Sequence, residues 1–161
     1  MTTCYNCDSP LQVATERRPL QMGDRTAEVE HEFMKCPSCG EEVFTPEQLD
    51  RVQRRASDEI RRQEGLLLAG EIRRIREQLG LSQRAFERLL GAGPKTAVRW
   101  ERGSVFQNRT TDNLIRVVAR FPSVAEFLAE KADVRLGPNW GGVPAEAVVN
   151  AAGVEFQLKR S

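Results

Sequence analysis

The sequence predicts an α+β protein in which a small N-terminal β module precedes a compact all-α domain and a C-terminal extension. Two observations carry this prediction. In residues 1–45, two Cys-x-x-Cys pairs flank a segment in which apolar and polar residues alternate as in a half-buried strand. From Leu66 to Lys131, apolar residues recur with helical spacing instead, and glycines interrupt the pattern as they do between short helices.

The cysteine pairs predict a metal site. All four cysteines belong to the two pairs, and 28 residues separate one pair from the other. Thiolates that converge from two such turns form the tetrahedral sulfur shell that zinc favours, at about 2.3 Å per bond. Gly40 directly follows the last cysteine and can adopt the positive φ that closes the turn. We expect one structural Zn²⁺, without an open catalytic position, at Cys4, Cys7, Cys36 and Cys39.

Two disulfides or one redox-active pair are the alternatives for these cysteines. Disulfides are typical of secreted proteins, whereas no charged-then-apolar leader opens this sequence, and we expect a cytoplasmic protein. A thioredoxin-type pair lies in a βαβ context, whereas both pairs here flank a hairpin-like segment. His31 is the only histidine. We interpret it as an ordinary strand residue, because four thiolates complete the site without it.

The net charge of +1 conceals an uneven distribution. Residues 1–45 contain four basic and eight acidic side chains, whereas residues 66–131 contain twelve basic and seven acidic ones. An acidic module joined to a basic domain indicates two partners of opposite charge. No membrane partner is expected, because the longest apolar run, residues 66–70, is far below the roughly 20 residues that span a bilayer.

Three glutamates share one face of the predicted strand over residues 28–33. That face is either a solvated surface or a docking surface for a basic protein, since complementary charge steers association. The residues concerned are Glu28, Glu30 and Glu32.

Helix start and stop signals, which include a capping box formed by Thr45 and Gln48, predict a linker helix over residues 46–65 and five helices in residues 66–131. The third of the five is expected to start at Pro94 and the fourth to span Asp112–Phe121. The fourth should bury Leu114, Val117 and Val118. The fifth should span residues 124–131 behind a capping box formed by Ser123 and Glu126.

The third of these helices carries the strongest functional signal. At 100° per residue, Lys95, Arg99 and Arg102 fall within about 60° of one another, and Ala97 and Trp100 lie on the opposite side. A helix that follows a glycine turn and presents basic side chains in this way has the geometry that enters the major groove of DNA. An ordinary helical bundle with surface charges is the alternative, but it leaves the one-sided basic face unexplained.

The chemistry of these side chains suggests how they would contact DNA. Arg99 can bridge guanine O6 and N7, and Lys95 can reach a neighbouring base or a phosphate. Phosphate contacts are expected from Thr96 at the edge of this face and from Ser82 and Gln83 at the start of the preceding helix.

The segments Leu81-Ser-Gln-Arg84 and Arg99-Trp-Glu-Arg-Gly103 resemble the Cro/cI-type (XRE) helix-turn-helix. Because two Cys-x-x-Cys pairs and a linking helix precede them, residues 1–131 resemble the MqsA-type antitoxins with their YgiT-type zinc finger. The resemblance implies a lambda-repressor-like helical domain in which Lys95 and Arg99 form the base-reading pair. The best-known member has asparagine in place of Lys95, and a small residue is common in place of Glu87.

The resemblance also implies a function, which we adopt as an expectation. The chain should be a non-enzymatic, homodimeric antitoxin of a type II toxin–antitoxin system. Residues 1–45 should bind a cognate toxin, often an mRNA-cleaving ribonuclease. Residues 66–131 should dimerise and bind a palindrome in the promoter of the chain's own operon.

Two other functions remain as alternatives. One is a stand-alone zinc-ribbon/helix-turn-helix transcription regulator. The other is a zinc-dependent nuclease or deaminase, which would need an open metal site and a histidine–glutamate pair that the sequence does not offer. Residues 132–161 have no assigned role. They include an alternating segment, residues 154–159, that predicts a strand paired with a second subunit or with the domain's own edge.

Overall fold

A computed structural model describes residues 3–138, 140 and 141. Over these residues, three strands precede six helices, which confirms the predicted fold class. The strands are β1 (Gln12–Met22), β2 (Arg25–Lys35) and β3 (Glu42–Val43). The helices are α1 (Pro46–Glu64), α2 (Ala69–Gln78), α3 (Gln83–Leu90), α4 (Thr96–Arg102), α5 (Arg109–Arg120) and α6 (Pro122–Ala132). The strand predicted at residues 154–159 lies outside the described residues.

The chain divides into two compact units, Met1–Ile60 and Arg61–Ser161, so the residues of α1 are shared between them. Among the described helices, none is long and apolar enough to cross a membrane.

The sheet of the first unit has the strand order β1-β2-β3 and is antiparallel throughout. β1 and β2 form a hairpin in continuous register from Gln12↔Lys35 to Met22↔Arg25, and β3 pairs with the last two residues of β2. The side chains of β2 alternate as predicted. Buried positions lie on one face, at Ala27, Val29, His31 and Phe33.

The start of α1 is a capping box, as the sequence predicts. The amide of Gln48 donates to Thr45 Oγ1 at 3.2 Å, and the amide of Thr45 donates to Gln48 Oε1 at 3.0 Å. Because the two bonds satisfy free amides reciprocally, they fix where the helix begins. At the other end Gly65, with a φ of +64°, follows the last helical residue.

The helical unit is built around one apolar core that receives side chains from α2 to α6. A buried charge joins this core. Asp112 accepts hydrogen bonds from the amide of Leu67 at 2.7 Å, from Gln107 Nε2 at 3.0 Å and from Arg116 Nε at 2.7 Å. Because both carboxylate oxygens have donors, the charge can be buried at little cost, and it ties α5 to Leu67 in the link between α1 and α2.

The start of α5 corrects one prediction. The helix begins at Arg109, three residues earlier than expected, because Asn108 caps it by accepting from the amide of Thr111 at 2.8 Å. The buried stripe consists of Ile115, Val118 and Ala119, and Val117 is 39% exposed. The expected burial of Val118 is therefore confirmed and that of Val117 is wrong. Leu114 is half-buried.

The starts of α4 and α6 differ from two further predictions. α4 begins at Thr96 rather than Pro94, because Lys95 adopts a left-handed conformation with a φ of +61°. α6 begins at Pro122, directly after Phe121. Proline suits the first helical position, where no amide donor is needed. Ser123 therefore lies inside the helix rather than at its N-cap, and the expected capping box does not form.

The described residues after α6 return to the helical core. Val134, Leu136 and Trp140 pack against it, and the amide of Gly137 donates to the carbonyl of Leu79 at 2.8 Å. A Cβ atom at Gly80 would lie only 2.6 Å from Gly137 Cα. The first part of the C-terminal extension therefore belongs to the helical unit, and this crossing requires glycine.

Candidate metal centre and nucleic-acid interface

The two Cys-x-x-Cys turns of the first unit are built alike. In the first, the amide of Asp8 donates to the carbonyl of Cys4 at 2.8 Å; in the second, the amide of Gly40 donates to the carbonyl of Cys36 at 3.0 Å. Asp8 and Gly40 have φ angles of +57° and +77°. The positive φ predicted for Gly40 is confirmed, and the first turn uses aspartate, one of the few other residues that adopts this conformation.

These turns bring all four sulfurs together. The four Sγ atoms lie within 4.8 Å of one another. Across the turns, Cys4 and Cys39 are separated by 3.5 Å, and Cys7 and Cys36 by 3.4 Å. Sulfurs at about 2.3 Å from a tetrahedral zinc ion lie about 3.8 Å apart, so the cluster fits one ion. The cysteines are free thiols rather than the disulfides considered above, and this site can hold a metal.

The thiols of the cluster differ in acidity. Hydrogen bonds from the side chain and the backbone of Ser9 lower the pKa of Cys7 to about 6. At Cys39 the backbone of Glu41 acts to lower the pKa. Hydrogen bonds with the other three thiols, together with desolvation, outweigh it and raise the pKa to about 12. Cys7 therefore loses its proton more readily than Cys39, and the proton on Cys39 must be displaced when a metal binds.

The three glutamates predicted as a docking surface lie on the exposed face of β2, but they differ in their contacts. Glu28 and Glu30 are exposed. Glu32 is half-buried and forms an ion pair of 2.7 Å with Arg51, and Gln48 Nε2 lies 3.5 Å from the same oxygen. Glu28 and Glu30 are thus open to a partner, while Glu32 is engaged with α1.

The helical unit exposes the three basic residues that were predicted to form a nucleic-acid interface. Ala97 and Trp100 of α4 are buried in the core, and Arg99 and Arg102 are exposed. Lys95 is also exposed, but it lies at the N-cap, outside the helix. The basic face therefore consists of two helical arginines and a lysine on the turn in front of them.

Three further predicted DNA contacts lie around this face. Thr96 is half-buried at the first position of α4. Ser82 is the exposed N-cap of α3, where its Oγ accepts from the amide of Ala85 at 3.2 Å. Gln83 Nε2 donates to Glu101 Oε2 at 2.9 Å. The Gln83 amide group therefore joins α3 to α4.

Sequence reasoning missed the residues that hold α4 in place. Glu101 lies in a bidentate ion pair with Arg76 of α2, with nitrogen–oxygen distances of 2.5 and 3.1 Å. Glu87 of α3 accepts a hydrogen bond from the amide of Ala97 at 2.9 Å. Neither contact can be predicted from a local spacing in the sequence. The only indication was Glu87 itself, because the resembled family commonly has a small residue at this position.

The fold thus defines a class of protein in which a β module with a four-thiol site precedes an all-helical domain. The chain belongs to the MqsA family, the antitoxin component of a bacterial toxin–antitoxin system, whose model matches residues 4–130. It is also similar to antitoxin HigA-2 of Vibrio cholerae serotype O1, with 37% identity over 60 residues. That match covers 37% of this chain and 58% of the relative, little more than half of its length.

Proposed function

We propose that this antitoxin neutralises a cognate toxin through its cysteine module and represses its own operon by binding promoter DNA through its helical unit. Family membership supports the antitoxin role. The proposed DNA binding rests on one observation, which is that α4 has a buried apolar side and an exposed basic side. Ala97 and Trp100 anchor it in the core while Arg99 and Arg102 face outward. A protein with this function works in the cytoplasm, where the promoter and the toxin's targets are.

In the proposed complex, α4 enters the major groove and Arg99 contacts a guanine through O6 and N7. Lys95 stands in front of the helix and contacts an adjacent base or phosphate. Arg102, Thr96 and Ser82 contribute phosphate contacts, which set orientation rather than sequence preference. A homodimer would place two such helices about 34 Å apart on a palindromic site.

We propose that the metal in the cysteine cluster is one structural Zn²⁺. Thiolates are soft ligands, and four of them in a tetrahedral arrangement favour zinc. They also leave no coordination position for a water nucleophile, which supports a non-enzymatic role. The apolar core beside the cluster is small, since it consists of Cys4, Leu11 and Cys36 with Met34 and Val43 packed against them. Metal binding would therefore supply much of the stability of this module.

We further propose that the toxin is an mRNA-cleaving ribonuclease that docks on the acidic face of β2. An enzyme that binds RNA presents a basic surface, and Glu28 and Glu30 are exposed carboxylates on the same face. Glu32 would contribute less, because Arg51 already neutralises it.

The test of this proposal separates the two halves. The full-length protein is titrated onto a duplex that covers the DNA upstream of its gene and onto a scrambled duplex. The product of the neighbouring open reading frame, purified separately, is the toxin candidate. Arg99→Ala should reduce operator affinity by about 1–3 kcal/mol and leave toxin binding unchanged. Arg54→Ala, which removes an exposed arginine from α1, is the control.

Equal loss of operator and toxin binding in Arg99→Ala would show that the two functions are not divided between the units. Operator binding without any toxin partner would favour the stand-alone regulator.

A further inference from the structure

The start of α4 lacks the usual means of satisfying its free amides. A helix normally receives a hydrogen bond from the side chain of its N-cap residue to an amide of the first turn. Here the N-cap is Lys95, which has a left-handed backbone and whose side chain makes no capping hydrogen bond among the described residues. Ala97, in the first turn, is completely buried, so water cannot replace the missing acceptor.

Glu87 supplies that acceptor from the neighbouring helix. It lies in α3 and is only 7% exposed, and its Oε1 accepts the hydrogen bond from the amide of Ala97 at 2.9 Å. A carboxylate at the N-terminus of a helix also interacts favourably with the helix dipole. The carbonyl of Glu87 accepts from the amide of Ala92 at 2.8 Å. One residue of α3 thus binds both the turn and the helix that follows it.

This contact determines where the first turn of α4 lies relative to α3. The later part of α4 is held independently, through the ion pair of Glu101 with Arg76 and the hydrogen bond from Gln83. Without an acceptor at position 87, the amide of Ala97 would be buried and unpaired. The first turn of α4 would then shift to find another partner, and Lys95 and Arg99 would move with it.

We infer that Glu87 is a positioning residue for DNA readout, an inference that rests on the proposed operator binding. Its carboxylate fixes the first turn of α4 against α3, so that the base-contacting side chains arrive in one geometry. Phosphate contacts tolerate small displacements, whereas bidentate base contacts do not. Loss of this bond should therefore reduce sequence preference more than general affinity for DNA.

The test compares two variants at one position with a charge control elsewhere. Glu87→Met keeps the approximate length of the side chain and removes the acceptor. Glu87→Gln keeps an acceptor oxygen and removes the charge. Glu126→Gln removes an exposed carboxylate from α6, where it should affect nothing. For each full-length protein, affinities for the upstream and scrambled duplexes are measured, together with hydrogen exchange at the amide of Ala97.

Glu87→Met should lower operator affinity by about tenfold, with affinity for the scrambled duplex unchanged within about twofold. Exchange at the amide of Ala97 should accelerate in the same variant. Glu87→Gln should lose only about two- to threefold in operator affinity, and Glu126→Gln should match the wild type.

An unchanged ratio of the two affinities in folded Glu87→Met would overturn the inference, whether neither affinity changes or both fall by the same factor. Should Glu87→Met fail to fold, Glu87→Gln decides. Faster exchange at Ala97 with a reduced affinity ratio supports the inference, and wild-type values for both overturn it. If the wild type itself binds both duplexes equally, the proposed operator binding fails and the inference fails with it.

Discussion

Arg76 of α2 and Glu101 of α4 form an ion pair inside the helical unit, with side chains that are only 12% and 5% exposed. Arg76 also donates to the carbonyl of Leu81 at 2.8 Å, and Glu101 also accepts from Gln83. These four residues come from three helical segments and the turn that links two of them. The pair thus connects the helix with the exposed arginines to the body of the unit.

The first prediction concerns this pair. Glu101→Leu leaves the guanidinium of Arg76 buried without its main partner, so the free energy of unfolding of the helical unit should fall by about 3 kcal/mol. Urea denaturation followed by the fluorescence of Trp100 and Trp140, which both pack in the core of this unit, measures the change. Arg73→Ala, which removes an exposed ion pair with Glu77, should leave the free energy of unfolding nearly unchanged. Equal effects of the two substitutions would show that burial does not strengthen the pair.

The second prediction concerns the crossing of Gly80 and Gly137. Gly80→Ala places a Cβ atom 2.6 Å from Gly137 Cα and puts alanine at a φ of +70°. Overpacking against backbone and a left-handed alanine each cost about 1–3 kcal/mol, so a loss of at least about 2 kcal/mol in unfolding free energy is expected. Gly70→Ala in α2 meets no atom within 4 Å and should be neutral or stabilising. A neutral Gly80→Ala would mean that the segment at Gly137 leaves α2 readily.

The third prediction concerns metal removal. Chelation should release one equivalent of zinc and destabilise the β module, because the apolar core beside the cluster is too small to replace the metal. The helical unit should keep its structure, since its core contains no residue of the cysteine cluster. Zinc content by atomic emission and amide exchange in β2 and α5 follow the two units separately. Cys36→Ser should reproduce the chelated state, whereas Ser38→Ala should not. Full protection of β2 after chelation would contradict a structural role for the metal.

The fourth prediction concerns the acidic face of β2. Replacing both Glu28 and Glu30 by lysine reverses the charge that would attract a basic toxin, so the association rate should fall most at low salt. Stopped-flow measurements at several salt concentrations report this rate. Replacing Glu126 and Glu130 of α6 by lysine changes the net charge equally and should leave it nearly unchanged. A rate insensitive to the β2 substitutions would place the toxin elsewhere.

Features set by neighbouring residues were predicted well from the sequence. The cysteine pairs, the positive φ of Gly40, the capping box at Thr45 and the division of α4 into a buried and an exposed side all depend on spacings of a few residues. A turn or a helix imposes such geometry wherever it lies in the fold. The starts of α5 and α6 were predicted wrongly, because Asn108 caps α5 and Pro122 begins α6, each before the predicted start.

The sequence by itself therefore determined the fold class, the family resemblance and the four cysteines of the candidate metal site. Only the tertiary structure decided which polar groups meet inside the helical unit. Asp112 bonds to Leu67, Glu87 to Ala97, Arg76 to Glu101, and Gly137 crosses Gly80. These partners are brought together by the packing of whole helices around one apolar core. Local periodicity does not encode that packing, because it specifies which face of a helix is buried but not which residue it is buried against.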